Sequence, residues 1–291
     1  MALTIHTNYS SLLTQTNLNK TNNALSINQQ RLGTGLRINS AADDAAGLQI
    51  ATRLGAQTKG MAVAMRNVSD ASSLLQTADG AFSEMTDILQ RMKDLATQSA
   101  NGTNSDDDRK SMQAEYDELG KELGNIMENT SFGGEKLFSK NGQDGKFNAA
   151  VSFQIGATAD ETLKLDVGSA SSGLAQTLGK LSAQFHATAP VGDEIATSGK
   201  ANTKIDDLSA ALADVGKLRG QFGANINRLN HTANNLANMK DNTEMARGRI
   251  MDADFANESA MMSKNAMLMQ SGISMLRQTG QMPGMVMSLL G

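Results

Sequence analysis

From Leu54 to Ala96 an apolar or alanine residue returns at every seventh position: Leu54, Met61, Val68, Leu75, Phe82, Leu89 and Ala96. Three places further on, Ala64, Ala71, Ala78, Met85 and Met92 form a second column. Two columns with that offset lie on one face of an α-helix, and their persistence commits the segment to a helix packed along its length. At the helical rise, about 55 residues span roughly 80 Å, more than an ordinary globular core accommodates. The alanines let a neighbouring helix approach closely. The fold class that follows is mainly α, a long antiparallel helical coiled-coil or bundle rod.

The rest of the chain completes that picture. Asn101-Gly102-Thr103-Asn104-Ser105 interrupts the pattern, and Ser105 or Asp106 is placed to cap the next helix. Met112, Tyr116, Leu119, Leu123 and Ile126 then continue the 4-3 spacing on a helix that should return antiparallel and end at Gly133-Gly134. Val151–Ile155 and Leu163–Val167 alternate with period two between Gly, Asn and Asp residues, so small β-hairpins are expected there. Residues 168–199, rich in Ser, Ala, Gly and Thr and including Pro190, read as a short surface segment. Heptads resume with Leu208, Val215, Phe222, Leu229 and Leu236, flanked by Ile205, Leu212, Ile226 and Ala233. Arg219 and Lys240 interrupt the second column, and a third long helix packed on the first two is expected.

The two ends differ from this charged body and match each other. No acidic residue precedes Asp43 and none follows Glu258, although the chain holds 30 Asp and Glu in all. Charge is costly to bury, so segments that avoid it are suited to burial. In the first arm Leu18, Leu25 and Leu32 fall seven apart, continued backward by Ile5 and Leu12, with the amides Asn22 and Gln29 between them. Such a seam, with amides setting register, is a helix that needs a partner before it becomes ordered. The last segment offers Met261, Leu268, Met275, Met282 and Leu289 in one column and Met262, Met269, Leu276 and Leu290 in its neighbour. Eleven of the 18 methionines lie between Met239 and the end. Each arm meets the body at a helix-breaking junction, Gly33–Asp44 and Arg249–Phe255, whose aspartates suit a helix start. The division read from these features is 1–42 with 257–291, 43–167 with 200–256, and the segment 168–199.

A search for chemistry returns nothing. The chain has no cysteine, so no disulfide or thiolate metal site can form. His6, His186 and His231 lack companions at ligand spacing, and neither a His-Glu-x-x-His signature nor a phosphate-binding loop is present. Asp106-Asp107-Asp108 lacks the spaced ligands of a calcium loop and reads as an acidic helix start. A net charge of −4 without a dense basic patch argues against nucleic acid. No apolar run reaches membrane-spanning length and no ordinary secretory signal stands at the start. Those features alone describe a cytosolic, non-enzymatic protein without cofactor or metal.

Three stretches resemble bacterial flagellin. Gln30-Arg31-Leu32 with Gly35-Leu36-Arg37-Ile38-Asn39-Ser40-Ala41-Ala42-Asp43-Asp44-Ala45-Ala46-Gly47 resembles the family's N-terminal signature, as does Leu89–Asn104. Arg249-Ile250-Met251-Asp252-Ala253-Asp254-Phe255-Ala256 and the ending Leu289-Leu290-Gly291 resemble the C-terminal one. The segment 168–199 stands where larger flagellins insert outer domains. The resemblance implies a self-polymerising subunit of the flagellar filament whose terminal arms pair as coiled helices, with Leu18, Leu25, Leu32, Met261, Leu268, Met275, Leu276, Leu289 and Leu290 packing subunits. It implies export unfolded through the flagellar type III apparatus, which needs no cleaved signal, and an extracellular location. It also implies partners: an export chaperone at the C-terminal arm, filament cap and hook-junction proteins, and Toll-like receptor 5 of hosts. Arg91, Leu95 and Glu115 fall on the receptor motif, with Lys93 and Asp94 where Arg and Glu are common. Competing readings are a hook-filament junction protein and a secreted coiled-coil adhesin. A metalloprotease insert, carried by some flagellins, is disfavoured by the missing zinc signature.

Overall fold

The computed structural model describes residues 8–141, 144–186 and 192–290, the stretch 282–290 by its backbone alone. Ile5, His6 and Pro190 lie outside the described residues, as do the side chains of Met282, Leu289 and Leu290. The element order is α1 (Tyr9–Thr34), α2 (Ala45–Ala100), α3 (Asp106–Asn129), β1 (Ser131–Phe132), β2 (Glu135–Lys136), β3 (Val151–Gln154), β4 (Thr162–Leu165), α4 (Gly168–Leu181), α5 (Ser198–Met251) and α6 (Phe255–Leu290). Short 3-10 turns sit at Lys146–Asn148 and Ala183–His186. The mainly α fold with long antiparallel helices, small hairpins and paired terminal helices is the one the heptads and the family resemblance imply.

Contacts divide the chain into two compact units, Met1–Thr58 with Asp241–Gly291, and Lys59–Lys240. In the second unit, every member of both α2 columns from Met61 to Ala96 is buried. Ser105 caps α3 in a capping box with Asp108, satisfying two backbone donors that the helix start leaves open. The buried Arg109 donates to the carbonyls of Ser99, in the last turn of α2, and of Asn101 and Asn104 in the loop after it. That one side chain closes the α2–α3 turn and sends α3 back along α2. Ser198 Oγ donates to Ala100 O at 2.7 Å and Arg219 pairs with Asp79 at 3.0 Å, so α5 also runs antiparallel to α2. Arg219, which breaks the heptad column, is an interhelical ion-pair residue.

Aromatic rings fill the middle of this unit. Phe82 of α2 stacks on Phe222 of α5 with centroids 5.6 Å apart, and Phe147 lies 5.2 Å from Phe222. Phe138 contacts Phe82 at 4.8 Å and Phe147 at 5.5 Å. Two antiparallel strand pairs adjoin them. β1 and β2 are joined by Gly133-Gly134 at φ 63° and 86°, the left-handed pair that a two-residue hairpin turn requires. β3 pairs with β4 in the register Val151 with Leu165, matching the period-two reading.

The segment expected at the surface is partly core. Residues 168–181 form α4, which buries Leu174, Ala175, Leu178 and Leu181, and Phe185 and Ile195 beyond it are buried too. Buried Tyr116 of α3 donates from its hydroxyl to Leu181 O at 3.1 Å, and burial pushes its phenol pKa up. What makes room for this packing is the absence of side chains on α3. A Cβ on Gly124 would lie 2.6 Å from Phe185 O, and one on Gly120 would collide with Ser182. The glycines of one helix admit the turn that follows another.

Five carboxyls are held below their ordinary values by hydrogen-bond donors. Asp43 is lowered chiefly by the Ser40 N–H, Asp108 by the Ser105 hydroxyl and Glu128 by Lys140. Glu135 is lowered by Lys146 and Glu161 by the Thr158 N–H. A carboxyl whose folded pKa is depressed stabilises the fold above its unfolded pKa and loses that contribution as pH falls through the folded value. The thermal midpoint by circular dichroism is therefore expected to be level above about pH 5 and to fall below about pH 4. A midpoint that stays level to about pH 3 contradicts this.

Candidate functional site

The candidate functional element is the pairing of the two arms in the first unit. Asn8 caps α1 by accepting from Ser11 N at 3.0 Å, and its amide donates to Thr279 O of α6 at 2.8 Å. At the other end α1 stops at Gly35, whose φ of 71° is the left-handed conformation glycine adopts without strain. The chain then pairs with the segment between α5 and α6. Arg37 N donates to Met251 O at 2.7 Å, Ala253 N to Gly35 O at 2.9 Å, and the Arg37 guanidinium to Ile250 O at 3.0 Å. The two motif-bearing junctions thus form one antiparallel bridge between Leu36 and Asp252.

The acidic residues of these junctions have separate tasks. The Asp43 carboxylate accepts from the backbone of Asn39 and Ser40, fixing the turn before α2. Asp44 accepts from Gly47 N at 2.8 Å and Asp254 accepts from Ala256 N at 3.0 Å, so each caps a helix start. The partner that the first arm needs is therefore supplied by α6 of the same chain.

Along the α1–α6 seam Leu18, Leu25 and Leu32 of α1 are half-buried, as are Met262, Met269 and Leu276 of α6. A Cβ at Gly272 would meet Leu18 Cδ1 at 3.1 Å, so glycine sets the close approach there. The amides expected in the seam, Asn22 and Gln29, are exposed. The polar positions are instead three residues after Leu18 and Leu25, Thr21 and Asn28, because the stripe runs 3-4 rather than 4-3. Asn28, 7% exposed, receives the Asn265 amide at 2.8 Å and donates to Glu258, which also pairs with Arg31 at 3.0 Å. Buried polar groups of this kind fix register because a slip leaves them unpaired. Glu258→Ala removes the acceptor shared by Asn28 and Arg31. It is expected to weaken arm pairing by about 1–3 kcal/mol, seen as faster amide exchange in α1 with unchanged exchange in α3.

Three further predicted packing residues are exposed, and the side chains of Leu289 and Leu290 lie outside the described residues. Met261, Leu268 and Met275 are 47%, 49% and 60% exposed. Leu12, Leu13, Ile27, Met267 and Ile273 are exposed as well. The charged side chains along these arms are basic, Glu258 being engaged in the seam. The single chain therefore presents exposed apolar residues on both terminal helices.

The residues on the receptor motif separate. Arg91 and Glu115 form an exposed ion pair between α2 and α3 at 2.7 Å. Leu95 is 2% exposed and belongs to the core. A helix packed on more than one side buries a stripe wider than two columns, and Leu95 lies in the added width. Among the described residues no group of His, Cys, Asp and Glu could hold a metal ion, and no helix is long and apolar enough to cross a membrane.

Comparison with known proteins places this architecture. Residues 5–143 match the family model described as the bacterial flagellin N-terminal helical region, and residues 205–290 the C-terminal helical region. Flagellin A of Vibrio anguillarum is 35% identical over 384 aligned positions, covering both chains completely. Polar flagellin C of Vibrio parahaemolyticus is 34% identical over 390 positions with the same coverage. Both alignments exceed the 291 residues of this chain, so these relatives carry residues that it lacks. The crystal structure of Bacillus cereus flagellin is 31% identical, covering 59% of this chain and 88% of its own at a TM-score of 0.46. A Vibrio parahaemolyticus structure described as a flagellar hook-associated protein is 16% identical at a TM-score of 0.57, covering 72% of this chain and 100% of its own. With both terminal regions matched and relatives aligned end to end, the chain belongs to the bacterial flagellin family, whose members are structural subunits of the flagellar filament.

Proposed function

We propose that this chain polymerises with copies of itself through the exposed apolar residues of α1 and α6. The observation that supports it most is that Met261, Leu268 and Met275 stay exposed although the seam between the arms is already satisfied. A surface of one copy that meets a different surface of the next gives a helical polymer rather than a closed ring. In this reading α1 and α6 pair within each subunit and copies stack on that pair. The chain leaves the cell unfolded through the flagellar type III apparatus, its C-terminal arm held beforehand by a chaperone. It then folds beneath a filament cap above the hook-junction proteins, outside the cell. A non-enzymatic role accords with this reading.

Host recognition by Toll-like receptor 5 is proposed to use the exposed Arg91–Glu115 pair, without Leu95. The assembly reading is tested by adding a salting-out salt, which strengthens apolar burial, to purified chain and sedimenting it. Filaments in the pellet that dissolve on dilution are expected. A chain that stays monomeric under all such conditions contradicts the reading and favours the adhesin or junction alternatives.

A further inference from the structure

The methionines of this chain divide by environment. Met61, Met85, Met92 and Met127 are fully buried in the second unit. In the first unit Met245, Met261, Met267 and Met275 are 56%, 47%, 64% and 60% exposed. The chain has no cysteine, so thioethers are its only sulfur. Leucine would serve equally well to cover apolar surface; what it lacks is a lone pair that an oxidant can use. Met261 and Met275 stand in one column with Leu268, on the face that subunit packing would bury, and Met267 is exposed beside Leu268.

We infer that Met261, Met267 and Met275 form a reversible oxidation site that controls entry of the monomer into the polymer. The inference rests on the assembly reading above. The oxidant is a peroxide or hypohalous acid. With hydrogen peroxide, the thioether sulfur gives a lone pair to one peroxide oxygen, a sulfur–oxygen bond forms, and the oxygen–oxygen bond breaks to leave water. Sulfur is oxidised and peroxide reduced. The product sulfoxide is polar and disrupts methionine-rich contacts, and methionine sulfoxide reductases return it to the thioether. The same residues are shielded once copies cover them, so the site is open in the monomer and closed in the filament.

The test treats monomer and preformed filament with hydrogen peroxide, maps added oxygen by peptide mass spectrometry, and measures critical concentration by sedimentation. Met261, Met267 and Met275 are expected to oxidise in the monomer while Met61, Met85 and Met92 do not, and to oxidise more slowly in the filament. Oxidised monomer should show a critical concentration raised about tenfold or more, returned to its starting value by reductases of both stereospecificities. In the triple variant Met261→Leu, Met267→Leu and Met275→Leu, the ratio of critical concentrations with and without peroxide should fall to near one. Oxidised monomer that assembles at its untreated critical concentration overturns the inference, as does a triple variant with the parental ratio. Untreated chain that never polymerises instead contradicts the assembly reading itself.

Discussion

Replacing Leu268 by lysine is expected to abolish polymerisation while leaving the melting of the monomer unchanged. Leu268 is half exposed on α6, so a lysine there can keep its ammonium in water while its stem covers the same surface. In the polymer the same ammonium would be buried against other arms whose free charges are basic, with no acid in either arm beyond the engaged Glu258. Burying an unpaired charge costs several kcal/mol, and each 1.4 kcal/mol is a factor of ten in critical concentration. A rise of at least about a hundredfold follows, with Leu268→Met close to the parent. Sedimentation across a concentration series measures the first quantity and calorimetry the second. Assembly at the parental concentration would show that this face stays wet in the filament. A large fall in monomer melting would show that Leu268 is packed within the chain.

Phe222→Ala is expected to produce the largest loss of stability in the second unit. Its ring is fully buried and lies between Phe82 of α2 and Phe147 of the β region. Truncation removes the transfer free energy of the ring and leaves a cavity that three other rings cannot easily fill, about 3–5 kcal/mol together. For a unit of this size the midpoint should fall by roughly 10 °C. Phe222→Leu, which fills part of the space, should lose distinctly less. Chemical denaturation followed by circular dichroism separates the two variants. A loss below about 1 kcal/mol for the alanine variant would mean that the rings are not a shared core.

The parts of the fold legible in the sequence are those whose partners follow a local period. Leu75, Phe82 and Leu89, and Leu208, Val215 and Leu229, are buried because a seven-residue repeat places them on one stripe whichever helix lies opposite. The acid-free ends likewise announced that they belong together. α4 was hidden because its burial depends on another element. Its Leu174, Leu178 and Leu181 are correctly spaced, but a Ser- and Gly-rich helix is weak by propensity, and only the bare surface at Gly120 and Gly124 explains how its C-terminal turn packs. The seam of α1 was misplaced by one residue because Thr21 and Asn22, and Asn28 and Gln29, are polar neighbours. Leucines seven apart do not say which of each pair lies inside. The burial of Leu95 was hidden for a further reason: a motif fixes sequence position, while exposure depends on how many neighbours a helix has.

If the paired terminal helices carry assembly, as proposed, the second unit does not assemble alone. Electron microscopy of the purified chain, before and after brief proteolysis removes the arms, tests it most directly. Filaments from the intact chain and none from the trimmed core, which keeps its helical circular dichroism, is the predicted result. Filaments from the trimmed core would contradict it.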